Sequence, residues 1–232
     1  MDVYIKAKPK LPKKKLNRFI SLASGVFFMA GILMIGQAVL PVVSWYLVVL
    51  PGVSQKIISP LASTFPSVVR AQENESYTPS KWFVGQKETE PQTANLKVYS
   101  LSIPKINIKD ANVETGGQDL KKALIGWPTS APPGTFGNNI IFGHSELPQF
   151  ANPKDYSGMF THLMDLEKVD EIYLDFDQVR YKYLVVDKKI VEPSDLSVLE
   201  QRFDSGYVTL ITCVPPGTVW KRGVIRARLS QI

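Results

Sequence analysis

One cysteine stands in this chain of 232 residues, at position 213. It closes the apolar run "TLITC" and is followed by "VPPGTVWKR", which puts Arg222 nine positions on. A single thiol forms no internal disulfide, so Cys213 is either a small buried hydrophobe or a reactive group. A protonated thiol is a poor nucleophile. Its ordinary pKa of about 8.5 leaves only a few per cent as thiolate at neutral pH. Acyl transfer through sulfur therefore needs a base or cation beside it, and a donor for the oxyanion formed on the substrate carbonyl.

The chain offers two histidines. His144 ends "NNIIFGHS", where Gly143 lets a strand-end side chain project into a cleft. His162 lies in "SGMFTHLMDL", where Phe160 and Leu163 face a core and send His162 towards solvent. His144 is thus the candidate acid/base and His162 a structural residue. Arg222 precedes the strand-like Val224 and Ile225. A cysteine and an arginine at facing ends of successive strands would meet across a barrel rim. The guanidinium there offers a charged fork of donors to an oxyanion or carbonyl. Lys221, Arg226 and Arg228 compete with it, and spacing alone does not choose among the four; a solvated strand-end charge is the plainer reading of each.

Short strands must hold these groups. In "VYSLSIPKINIKDANVE", Ile103, Ile106 and Ile108 alternate with Lys105, Asn107 and Lys109, which predicts one half-buried strand with Pro104 at an edge or kink. "GTFGNNIIFGHS" predicts a Gly-Asn-Asn turn and a strand at Ile140–Phe142. "DEIYLDF", "RYKYLVVDKKIVE" and "GYVTLITC" read as further strands, the second turning back at Asp187–Lys189. "QDLKKALIGWP" and "SGMFTHLMDLEKV" carry helical spacing and predict two short helices. Many short strands broken by Pro and Gly argue for a mainly β barrel or sandwich. There is no internal repeat, Gly-rich phosphate loop or metal-type cysteine cluster, so neither cofactor nor metal is expected.

The remaining sequence looks like an anchor and a tether. The net charge of +6 is concentrated in Lys6, Lys8, Lys10, Lys13, Lys14, Lys15 and Arg18, opposed only by Asp2. The rest is close to neutral, so nucleic acid is not an expected partner. Residues 1–18 read as a cytoplasmic basic segment. Phe19–Leu40 is uncharged and about the length of a membrane-spanning helix, with Pro41 kinking or ending it. It is too long for a signal-peptide core. The basic flank keeps the N-terminus cytoplasmic and sends the rest outward, giving a single-pass protein in contact with membrane lipid. A second span after Pro41 is the alternative, but Pro51, Gly52, Gln55 and Lys56 interrupt it. Residues 41–95 read as an interfacial segment and a polar stalk, with Trp45 and Tyr46 at the lipid–water boundary. Trp82 and Phe83 stand out in that stalk. They read as a local hydrophobic contact, with docking on the folded domain or shielding of a cleft as the alternatives. The folded domain is 96–232.

Taken together these motifs resemble the sortases, membrane-anchored cysteine transpeptidases of bacterial surfaces. "TLITC" with an arginine nine residues on is similar to their signature, "PPGTFGNNIIFGHS" to their histidine segment, "LSIPKINI" to their first strand, and "FTHLMDLEKVDEIYL" to the stretch before a later strand. The resemblance implies a closed eight-stranded β-barrel with short helices. It implies that Cys213 is the nucleophile, His144 the acid/base and Arg222 the oxyanion or substrate clamp. It also implies substrates that are surface proteins with a C-terminal LPXTG-like sorting signal, cut between Thr and Gly. The acyl group would pass through a thioester to an amine, on a peptidoglycan precursor or a pilin lysine. Thr212 would shape the oxyanion site or simply pack. The Cys-Xaa-Pro form resembles classes C, D and E. "TPSKWF" lacks the aspartate of the class C lid, and no carboxy-terminal membrane helix follows, which favours D or E and wall anchoring over pilin assembly. Nothing clearly matches the calcium site of some class A members.

Three other readings remain open on residues alone. One is a cysteine peptidase using the same trio with water as acceptor. Another is a tethered β-module with Cys213 as core. The last is a metal site of His144, His162 and Cys213.

Overall fold

The structure is a computed structural model, which describes residues 13–48, 79, 82–84 and 98–230. The basic residues before Lys13 and most of the stalk lie outside the described residues. The chain divides into two units, Met1–Val43 and Ser44–Ile232. Helix α1 spans Lys13–Val48, 36 residues, and passes through Pro41 rather than stopping there. The proline removes one ladder donor, but the turns on both sides still close. Phe27, Phe28, Met29, Ile32, Leu33 and Ile35 are all exposed, so no polar stripe offers a soluble face. The side chains of α1 are described without a break only over 23–37, and among the described residues no helix is long and apolar enough to cross a membrane.

The second unit holds a closed barrel of eight strands in the order β1-β2-β3-β4-β7-β8-β6-β5. These are β1 Val98–Ile103, β2 Ile108–Thr115, β3 Leu124–Gly126, β4 Gly137–Phe142, β5 Glu171–Phe176, β6 Val179–Val191, β7 Gly206–Val214 and β8 Lys221–Leu229. Closure leaves no strand edge to template aggregation. β4 and β7 lie side by side and parallel, from Gly137↔Gly206 to Phe142↔Ile211. Every residue of both is buried, which explains why both runs lack the polar alternation of a one-sided strand.

Period two divides these strands between two cores. Ile141, Val208, Leu210, Val214, Ile225 and Ala227 fill the barrel interior. Ile140, Phe142, Ile211, Cys213 and Val224 face outward into a second cluster, with Trp127, Val198, Trp82 and Phe83. Cys213 is therefore on the outer wall, under a covering layer. Within that wall Thr209 Oγ1 donates to Asn138 Oδ1 at 2.7 Å, which satisfies two buried polar groups and ties β4 to β7.

Local expectations need several corrections. The Ile103–Ile108 segment is a hairpin of two antiparallel strands, β1 and β2, because Pro104–Ile106 form a 3₁₀ turn ending at Asn107 with φ +58°. Asn138 and Asn139 sit within β4, not in a turn. β6 does not turn back at Asp187; it continues to Val191 across a bulge between Val185 and Asp187. The two predicted helices are turns leading to β3 and a 3₁₀ turn at Leu163–Asp165. Their apolar spacing is satisfied by burying Leu120, Phe160 and Leu163 in turns too short for an α-helix and Leu124 at the start of β3.

Candidate active site

Two strand registers assemble the site. The parallel β4–β7 ladder ends at Phe142↔Ile211 and is carried one step on by Gly143 N–H donating to Ile211 O at 3.1 Å. His144 and Cys213 each lie two residues beyond that pair, so they arrive at the same rim. Two side chains secure the level: Thr212 Oγ1 donates to Gly143 O at 2.9 Å, and Ser145 Oγ to Cys213 O at 2.7 Å. Thr212 is thus a packing and positioning residue, its hydroxyl spent on the wall. Ser145 was missed at the sequence level, although its place directly after the histidine was a signal. Gly143 is required by contact: a Cβ there would lie 2.4 Å from Phe160 Cδ2 and 2.8 Å from Leu124 Cδ2.

The antiparallel β7–β8 hairpin supplies the cation. Cys213 and Arg222 are direct partners, on the same face of the sheet. Arg222 Nη1 lies 3.6 Å from Cys213 Sγ and donates to Val219 O at 2.9 Å and Lys221 O at 3.2 Å. The competing basic groups are engaged elsewhere. Lys221 pairs with Glu192 at 3.1 Å, Arg226 donates to Thr209 Oγ1 at 3.4 Å and Arg228 to Ser205 Oγ at 3.0 Å.

The contact made by Trp82 is not local. Its main-chain carbonyl accepts from Arg222 Nε at 3.0 Å and Nη2 at 2.7 Å. Its ring lies 5.4 Å from the Arg222 guanidinium carbon, 5.9 Å from the His144 ring and 5.5 Å from Phe142. The segment is pinned by Trp82 N–H on Pro79 O and Val84 N–H on Pro193 O, both 3.0 Å. Beneath it Cys213 is 5% exposed, Arg222 6% and His144 9%.

Burial sets the protonation of the pair. It pushes the Cys213 thiol up to about 11, against the pull of Arg222. It holds His144 down at about 4, with Lys121 acting the same way and Asp119 opposing. Near pH 7 the covered site therefore contains a neutral thiol and a neutral imidazole. That is one proton transfer away from the thiolate–imidazolium form that attacks carbonyl carbon.

A cleft of about 560 Å³ opens beside the thiol, lined by His144, Ser145, Glu146, Leu147, Phe150, Ser157, Cys213, Gly217, Thr218, Val219 and Lys121. His162 is not part of it. It lies at a separate cavity with Lys105 and Met159, half exposed, its Nδ1 2.9 Å from Asp165 Oδ2. Among the described residues no group of three or more His, Cys, Asp or Glu is placed to hold a metal, so the His144–His162–Cys213 arrangement does not form.

Residues 101–230 match the family described as Sortase domain. Sortase D of Bacillus subtilis is 29% identical over 116 residues, covering 50% of this chain and 53% of that protein. Sortase A of Listeria monocytogenes is 32% identical over 95 residues, covering 41% of this chain and 39% of that one. The chain thus spans about half or less of the length of these curated relatives. Among solved structures, a lid mutant of Sortase A from Corynebacterium diphtheriae superposes with a TM-score of 0.52 at 29% identity, over 61% of this chain and 75% of that one.

Proposed function

The chain belongs to the sortase family, and from that premise we propose that it is a cysteine transpeptidase acting on surface proteins that carry an LPXTG-like sorting signal. The observation that carries this reading is the convergence of Cys213, His144 and Arg222 at one rim through two independent strand registers. Cys213 Sγ attacks the scissile carbonyl carbon after passing its proton to His144. Arg222 faces the oxyanion that results. Collapse breaks the C–N bond, and His144 returns the proton to the departing amine, leaving a thioester on Cys213. An incoming amine attacks that thioester and loses a proton, and the sulfur leaves and is reprotonated. Product is an amide and the free thiol.

The uncharged run Phe19–Leu40, about the length of a bilayer-spanning helix, and the basic residues before it support a single membrane anchor with the barrel outside the cytoplasm. The similarity to Sortase D supports class D or E over class C. The test is to incubate the full chain, in detergent, with an LPXTG-type peptide and an amine acceptor. Ligated product is expected with wild type and is lost in Cys213→Ala and Arg222→Ala. Cleavage without ligation would mark a peptidase instead.

A further inference from the structure

The proposed transfer needs a binding site for the acceptor amine. An acceptor amine is an ammonium at neutral pH, so it reaches the thioester as a cation and must lose a proton there. The cleft beside Cys213 contains one carboxylate, that of Glu146, two residues beyond His144 on the same chain segment. Its main chain is clamped: Glu146 N–H donates to Thr161 Oγ1 at 3.0 Å, and the same hydroxyl donates back to Glu146 O at 3.3 Å. Its side chain is half-buried and lies over Gly158, where an added Cβ would come within 3.3 Å of Oε2. Among the described residues no ion pair claims this carboxylate. A carboxylate that lines a cleft attracts any cation entering it. Glu146 lines the cleft that opens beside Cys213.

We propose that Glu146 binds the ammonium of the acceptor amine and so determines selectivity for charged nucleophiles in the second half-reaction. The inference rests on the transpeptidase reading. Glu146 holds the cation beside the acyl group, His144 accepts the proton, and the free amine attacks. The chemistry recognised is a primary ammonium, whether an α-amine of a wall precursor or an ε-amine of a pilin lysine.

The experiment compares the full chain with Glu146→Gln and Glu146→Asp, using three nucleophiles. Glycinamide supplies an α-amine, Nα-acetyl-lysinamide an ε-amine, and hydroxylamine a nucleophile largely uncharged at neutral pH. In Glu146→Gln, KM for the better of the two amines is expected to rise about tenfold, as for loss of a charged hydrogen bond. The ratio of amine to hydroxylamine use should fall by the same factor, and Glu146→Asp should restore part of it. Which amine responds identifies its source. An unchanged ratio, with the acyl-enzyme still forming, overturns this inference and leaves the transpeptidase reading standing. Loss of the acyl-enzyme in the variant alone also overturns it, since Glu146 would then serve folding or acylation. No acyl-enzyme in wild type sinks both.

Discussion

Arg222 Nη2 donates to the main-chain carbonyl of Trp82 at 2.7 Å, across 140 positions of sequence. With Nε on the same oxygen, the guanidinium gives its fork to a peptide carbonyl of its own chain. In the proposed reaction a substrate carbonyl uses those same donors. On that proposal Trp82 and substrate compete for Arg222, and the described state is a covered one.

Removing the ring should uncover the thiol. Trp82→Ala deletes the packing on Arg222, His144 and Phe142, while the barrel interior is untouched. Alkylation of Cys213 by iodoacetamide at pH 7.5 is expected to speed up at least tenfold, as the thiol falls from about 11 towards its ordinary value. Equal alkylation rates in wild type and variant would show that Trp82 does not limit access.

Charge alone should not replace Arg222. A lysine keeps the positive charge but loses the planar fork that reaches sulfur and carbonyl together. Arg222→Lys is expected to lower kcat/KM at least 100-fold, and Arg222→Ala to lower it as much or more. Wild-type turnover in the lysine variant would reduce Arg222 to a background charge.

Gly143→Ala tests the placement of His144. The added methyl meets Phe160 and Leu124 inside contact distance. Overpacking of this kind costs about 1–3 kcal/mol. The shift falls on the residue next to the base, so activity should drop at least tenfold even at temperatures where the variant is fully folded by circular dichroism. A folded, fully active variant would mean that the strand end yields without moving His144.

Acid should loosen the covered site before it unfolds the barrel. His144 has its folded pKa lowered from 6.5 to about 4, so between those values the unfolded state binds more protons than the folded one. Stability should therefore fall as pH falls through that window, by up to about 3 kcal/mol at 1.4 kcal/mol per unit. The carboxylates held low by partners, such as Asp175 beside Arg180 and Asp204 beside Tyr207, lose their contribution only at lower pH, below the ordinary carboxylate range. Thermal melts of wild type between pH 6.5 and 4.5 should slope downward, and His144→Gln should flatten the slope. Parallel slopes would place the proton uptake elsewhere.

Much of the rim that gathers His144, Cys213 and Arg222 was legible because its signals are local. The apolar runs at Ile140–Phe142 and Gly206–Cys213 read as strands, Gly143 marked a strand end, and the nine-residue step to Arg222 fitted a hairpin. Choosing Arg222 over Lys221, Arg226 and Arg228 needed the register, which sequence spacing does not contain. The aromatic pair Trp82–Phe83 reads from sequence as a local contact, with shielding of a cleft only an alternative, and its hold on Arg222 was beyond reach for a different reason. Trp82 meets Arg222 through its main-chain oxygen, and a backbone carbonyl leaves no trace in residue type. The helical spacing at Leu120–Leu124 and Phe160–Leu163 misled because tight turns, and for Leu124 the start of β3, bury the same positions as a helix turn does.

The central claim is that Cys213 carries the acyl group. The most direct measurement is the intact mass of the full chain after brief mixing with an LPXTG-type peptide and rapid acid quench. The account predicts an adduct equal to the peptide's acyl portion, located on Cys213, discharged by hydroxylamine and absent in Cys213→Ala. Cleavage of the peptide with no adduct in wild type, or an adduct that persists in Cys213→Ala, would contradict it.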